Sequence, residues 1–325
     1  MSYSRRALQG LAALHRERAR LARATAASGL LFLPAVLIAL AGLPADWIFP
    51  LTLSAAYGLL IRLLASRLET ASLLGLPAMH MLGQLSAPHV WLALPLLVWA
   101  LWTMGRLSRI GLHKGAQFWV YSLLLGNMMP PLALPYWQHA GLMMAGVLYG
   151  ILIGRHALAG WQRVLPGAAK DDSLRYARHL LAGVCLAWLA AVQLKLPHTW
   201  WLPIIVAGLL DPSPSRMRWL VRERVIGTLI GAALALLLAW CQLPPAWHLL
   251  TLCLGMSYAL IKMQRSFRGF ISGLTFVVLS VMPETLIRAG SLERLADTVL
   301  VGLLLMALAW RLERRMEDAA QDKAR

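Results

Sequence analysis

Charge is scarce inside the apolar stretches of this sequence, so the few ionisable residues that fall there are the first candidates for chemistry. Asp297 lies about one turn into the last apolar segment, three residues after Arg294. An aspartate so placed can carry a proton, alternately free and paired with Arg294; the same spacing also fits a lasting ion pair on one helix face. Asp211 stands in Asp211-Pro212-Ser213-Pro214, where a short apolar segment ends, and the basic stretch after it holds Arg222 and Arg224, with Thr228 one turn further. Together they are candidate contacts for an anion, although Asp-Pro-Ser-Pro is equally a helix stop and a turn. Tyr57 and Trp200 offer rings that can stack on an aromatic solute, and serve as well for packing or as interfacial anchors. His80 and Gln84, four apart, fit a polar pathway or a hydrogen bond between helices.

The chemistry is narrowed further by what the sequence lacks. It has no Gly-x-x-x-x-Gly-Lys-Ser/Thr phosphate loop, no His/Cys/carboxylate set at metal spacing and no Gly-x-Ser-x-Gly elbow. ATP hydrolysis, a metal centre, a cofactor and an enzymatic role are therefore not expected. Cys185, Cys241 and Cys253 lie in apolar segments without Cys-x-x-Cys spacing and read as small filler.

Composition dictates the elements that must hold these residues. Of 325 residues, 59% are hydrophobic and 14% charged, where a soluble domain has roughly 45–50% and 25%. Twelve apolar segments follow one another at 22–42, 47–61, 70–86, 90–104, 118–134, 139–154, 179–194, 199–210, 225–241, 247–261, 269–283 and 295–310. The expected fold is an all-α polytopic membrane protein of about twelve transmembrane helices, with an uncleaved first span. Several segments are short: fifteen residues of helix reach about 22 Å, less than the hydrocarbon core, so segments 47–61 and 199–210 need not cross it fully.

The net charge of +17 would suggest nucleic acid in a soluble protein. Here the basic residues fall on alternate connections. With both termini cytoplasmic, all but Lys195, Arg288 and Arg294 of the 31 lie on the inner side, as the positive-inside rule requires of a multi-pass protein of the bacterial inner membrane. The charge therefore reads as topology, with anionic lipids and not nucleic acid as its partner.

At an offset of 153 the chain matches itself: Leu43-Pro44 on Leu196-Pro197, Trp47 on Trp200, Pro50 on Pro203, Met129-Pro130 on Met282-Pro283, Ser122 on Thr275 and Asn127 on Ser280. This predicts two parallel six-helix repeats, at 21–157 and 177–312. A basic arm (1–20), a linker (158–176) and a tail (313–325) complete the chain. Short or proline-broken spans in matching positions point to a transporter's cavity. By that argument Pro50, Tyr57, Asn127, Pro130, Trp200, Pro203, Thr275, Ser280 and Pro283 are candidate cavity residues. Glycines four apart, at Gly146, Gly150 and Gly154, Gly227 and Gly231, and Gly269 and Gly273, predict close helix packing.

The second half carries His198-Thr199-Trp200-Trp201-Leu202-Pro203, Asp211-Pro212-Ser213-Pro214, Arg224-Val225-Ile226-Gly227-Thr228-Leu229-Ile230-Gly231 and Arg294-Leu295-Ala296-Asp297-Thr298. In order and spacing it resembles the fusaric acid resistance family of the aromatic acid exporter superfamily, as a short member without the cytoplasmic insert. The positions aligned with Arg224, Gly227 and Thr228 in the first half are Ala71, Leu74 and Gly75, which depart from the pattern. The resemblance implies efflux of aromatic or other weak organic acids or drugs, proton-coupled, in partnership with a periplasmic membrane-fusion adaptor. A second copy of the chain is a further candidate partner. The alternative is a non-transporting scaffold subunit of an efflux or envelope-assembly complex; a membrane-embedded enzyme would need converging catalytic groups that the sequence does not offer.

Overall fold

Each of the twelve apolar segments contains a helix in the computed structural model, which describes residues 2–128, 134–162, 165–196, 199–241, 243–263, 265–280, 291–292, 294–308, 310–311 and 314. In chain order they are α1 (Ser2–Leu40), α2 (Ile48–Leu64), α3 (Glu69–Ser86), α4 (Val90–Leu107), α5 (His113–Met128), α6 (Tyr136–His156), α7 (Lys170–Gln193), α8 (Trp201–Leu209), α9 (Pro214–Cys241), α10 (Pro245–Met263) and α11 (Phe267–Ser280). Residues 294–308 form α12. Pro130 and Pro283 lie outside the described residues.

Several helices outrun their apolar segments. α1 runs unbroken through the arginine-rich arm, α7 begins at Lys170 and α9 at Pro214. Arg, Ala and Leu are strong helix formers, so a helix nucleated by packing extends into them at little cost.

The prolines expected to break the second and eighth segments start those helices instead. Pro50 is the third residue of α2 and Pro203 the third of α8. In a first turn no N–H has an intrahelical acceptor, so proline removes no hydrogen bond there. An interior proline does remove one at Pro34 in α1, which leaves the Leu30 carbonyl without its helical donor. Tyr149 Oη of α6 donates to that carbonyl at 2.6 Å.

Small residues let backbones touch. A β-carbon at Gly150 of α6 would lie 1.9 Å from the Ala55 carbonyl oxygen of α2, and one at Gly58 of α2 only 2.2 Å from the Val147 oxygen of α6. Gly126 of α5 faces the His80 carbonyl of α3, Gly231 of α9 faces Ser272 of α11, and Gly273 of α11 faces α10. In lipid such close approach replaces the hydrophobic drive that packs helices in water. α3 packs on α5 and α9 on α11, while α4 against α7 and α1 against α10 join the first part of the chain to the second. One apolar core runs through both parts, with Ile61, Leu101, Met104 and Leu124 beside Val184, Leu209, Val221 and Leu305.

Outside, Leu37, Leu40, Trp91, Trp137, Trp240 and Leu304 are exposed, an apolar sheath that suits lipid and not water. Glu17–Leu40, Val90–Ile110 and Ser215–Cys241 are long and apolar enough to cross a membrane, and Ile48–Leu64, Trp247–Met263 and Phe267–Ser280 are shorter apolar helices. The chain is a membrane protein with apolar helical spans. α8, nine residues long, reaches only about 14 Å.

Buried carboxylates tie helix ends together where the basic residues gather. Glu69, at the start of α3 and 4% exposed, accepts hydrogen bonds from Arg62 Nη1 of α2 at 2.6 Å and from Arg155 Nε and Nη2 of α6 at 3.0 and 2.6 Å. Glu223 of α9 accepts two from Arg268 of α11, at 3.0 and 2.8 Å. Glu17 of α1 pairs with Arg265, just after α10.

Candidate functional site

The last turn of α8 meets α5 and α9 at Gly208. Lys114 Nζ of α5 donates to the Gly208 carbonyl at 3.3 Å. A β-carbon on Gly208 would lie 2.6 Å from Tyr121 Oη, 3.1 Å from Arg224 Nη1 and 3.4 Å from Gln117 Nε2. Gln117 Nε2 in turn donates to Tyr121 Oη. Lys114, Gln117 and Tyr121 are three and four residues apart, so α5 presents all three on one face. The missing side chain of Gly208 is what lets that polar face and Arg224 close on one point.

Arg294 joins from α12. Its guanidinium carbon sits 5.1 Å from the ring centroid of Trp201, the first residue of α8, a distance at which cation and indole attract. Arg224, Tyr121 and Asp297 are within its electrostatic reach. Beyond the other end of α8, Asp211 Oδ1 accepts from the Ser213 amide at 3.1 Å, forming the turn that leads into α9, while Oδ2 lies 3.5 Å from Arg216 Nε. Lys114 feels Asp211, Arg216 and Arg224 together.

The result is a polar column along α8, from Trp201 and Arg294 through Tyr121, Arg224 and Lys114 to Asp211 and Arg216. Among the described residues four cations share it with two carboxylates, Asp211 and Asp297, each 8% exposed. Arg224 Nε is buried with no hydrogen-bond partner among the described residues. Inside a membrane protein an excess of cations is costly unless an anion joins them. Tyr57 and Phe118, with ring centroids 5.2 Å apart, and Phe118 and Tyr121, at 6.0 Å, carry an aromatic wall from α2 to the column.

The residues singled out in the sequence divide between this column and other places. Asp211, Arg224 and Arg294 come together, with Tyr57 at the edge of the wall and Thr228 buried one turn beyond Arg224. The Arg294 guanidinium lies over Trp201, with Asp297 on the same helix within its electrostatic reach. Trp200 stands edge-on to Trp201 at 5.3 Å. Arg222 points away from the column: its side chain is 71% exposed and its Nε is 3.7 Å from Glu223. Asn127 belongs to a separate network of α3, α5 and α7, donating to Ser86 Oγ at 3.3 Å and accepting from Trp188 Nε1 at 3.1 Å. Thr275 is buried against Gly231 on α9, and the Ser280 carbonyl accepts from His248 Nε2 at 2.7 Å. His80 Nδ1 is 3.2 Å from the Ser122 carbonyl, an interhelical contact.

Two hollows of about 10 Å³ each are lined, one by Met79, Trp99 and Trp119 and the other by Ser86, Asn127 and Trp188; neither includes a charged residue of the column.

Lys114, Gln117 and Tyr121 were not among the sequence candidates, although their spacing on one face of α5 was a usable signal. Among the described residues no group of three or more His, Cys, Asp or Glu side chains is placed to hold a metal ion.

The helices α8, α9 and α12 that supply most of this column lie in one stretch of chain. Residues 181–309 match the family model described as fusaric acid resistance protein-like. The fusaric acid resistance protein-like segment thus contains Trp201, Gly208, Asp211, Arg224, Arg294 and Asp297, while Lys114, Gln117 and Tyr121 come from outside it. No curated protein and no solved structure matches the chain.

Proposed function

We propose that this protein is the membrane component of an efflux system, moving aromatic or other weak organic acids, or drugs, outward across the bacterial inner membrane. The observation that carries the reading is the gathering of Lys114, Arg224 and Arg294 around Gly208 and Tyr121, with more cations than carboxylates among the described residues of the column. A carboxylate solute supplies the missing negative charge, and the Tyr57, Phe118 and Tyr121 rings suit its apolar body. The fusaric acid resistance protein-like segment supports efflux in general terms.

The topology proposed with it has twelve crossings, both termini cytoplasmic and two parallel six-helix repeats. It is supported by the way packing partners interchange: α3 with α5 answers α9 with α11, and α4 with α7 answers α10 with α1. Proton coupling is assigned to Asp297, buried beside Arg294, and a periplasmic membrane-fusion adaptor is the proposed partner, with anionic lipids around the basic end. Purified protein in liposomes should accumulate labelled benzoate under an imposed pH gradient. Absence of uptake, with orientation verified, refutes the reading.

The small size of those two hollows favours one second reading, a non-transporting scaffold that holds an adaptor in the membrane. It predicts adaptor binding without benzoate uptake.

A further inference from the structure

We propose that Asp211 is a built-in counter-anion which the transported carboxylate must displace, so that the two compete for Lys114. The proposal rests on the transport reading and assigns a role within it. Asp211 is 8% exposed, and its two oxygens are differently engaged. Oδ1 holds the Ser213 amide, whereas among the described residues Oδ2 has no hydrogen-bond partner and faces Arg216 Nε at 3.5 Å. Lys114, whose charge Asp211 also meets, spends one bond on the Gly208 carbonyl and has no carboxylate within 4 Å among the described residues.

A carboxylate that acts on Lys114 through its charge alone, with no hydrogen bond to it among the described residues, is one that an arriving anion can replace there. The groups facing it are Lys114 of α5, Tyr176 of α7, and Arg216 of α9, with His113 beside Lys114 and Arg224 one step beyond. None of them is a second carboxylate. When a guest anion takes Lys114 and Arg224, Asp211 keeps Arg216, whose half-exposed side chain can follow it. The end of α8 is thereby freed from the column. Asp211 would then set both affinity and the timing of opening, a part distinct from proton carriage by Asp297.

The test uses the full chain in nanodiscs, with benzoate as the probe in titration calorimetry. Asp211→Asn removes the charge but keeps an acceptor for the Ser213 amide; Asp211→Ser is a second neutral variant that can cap the same turn. Both should bind benzoate more tightly, by about tenfold, within the range of about 5- to 150-fold usual for coupled sites. Lys114→Met should weaken binding, and adding Asp211→Asn to it should recover nothing. Arg222→Gln, on the outward side chain, should match the unsubstituted protein. If the unsubstituted protein binds no benzoate, the transport reading falls and this inference with it. Binding that neither neutral variant tightens, or a gain that persists in the Lys114→Met background, overturns this inference alone.

Discussion

Replacing Glu69 by Gln tests whether buried carboxylates hold the basic end of the bundle together. The substitution keeps shape and removes the charge that Arg62 and Arg155 share. Hydrogen bonds to charged groups contribute about 1.5–3 kcal/mol each when enclosed. The Arg155 side chain is 52% exposed and that of Arg62 21%. Solvent screening therefore reduces the Arg155 share to about 1 kcal/mol, and the more enclosed Arg62 contributes about 2 kcal/mol. The expected loss is about 3 kcal/mol, which at about 2 °C per kcal/mol for a chain of this size lowers the melting temperature by about 6 °C. Thermal unfolding in mild detergent, followed by size exclusion, reads it directly. Glu17→Gln is the matched control, since both partners of the Glu17–Arg265 pair are about half exposed and exposed pairs contribute little. If Glu69→Gln melts within about 1 °C of the unsubstituted protein, or Glu17→Gln is as damaging, the argument from burial is wrong.

Three further predictions follow from single contacts. Tyr149→Phe leaves the Leu30 carbonyl without the donor that stands in for Pro34 and should cost about 1–2 kcal/mol, whereas Tyr149→Phe combined with Pro34→Ala should be restored toward the unsubstituted stability. Gly150→Ala puts a methyl group against the Ala55 carbonyl; the backbone on the far side cannot give way as a side chain would, so α2 and α6 must separate, at about 1–3 kcal/mol or more, seen as loss of a monodisperse species on heating. Asp297→Asn should leave benzoate binding in place while abolishing accumulation driven by a pH gradient; unimpaired accumulation assigns the proton elsewhere.

The helices were legible because each contains an apolar run, and the largest differences in bounds, at the starts of α1, α7 and α9, fall at polar ends, where propensity and packing, not hydropathy, decide. The glycine faces were legible for a related reason: a four-residue period places small side chains on one side whatever the partner. The column was legible only in its second-half members. Lys114 looked like a connection charge, because counting basic residues by side treats every lysine near a segment end as solvated. It is drawn inward by Gly208, 94 residues further on, a partner no local pattern announces. Glu69 gave no signal either, since Arg155 is 86 residues away. The Arg294–Asp297 spacing was legible, whereas Trp201, which offers the guanidinium a flat aromatic face, sits on another helix that a one-helix argument cannot see. Pro50 and Pro203 do not break their helices but sit in the first turns, because a proline's effect depends on its distance from the helix start.

The unbroken course of α1 has a mechanical consequence. At 39 residues it is about 58 Å long, roughly twice the thickness of a hydrocarbon core. Its amino-terminal half therefore acts as a lever. A tilt of about 10° in the embedded part would sweep the far end through about 5 Å over the overhanging 28 Å. Because α1 lies against α10 and meets Arg265 through Glu17, small rearrangements in the second half of the chain are magnified at the amino terminus, where a fluorophore would record them.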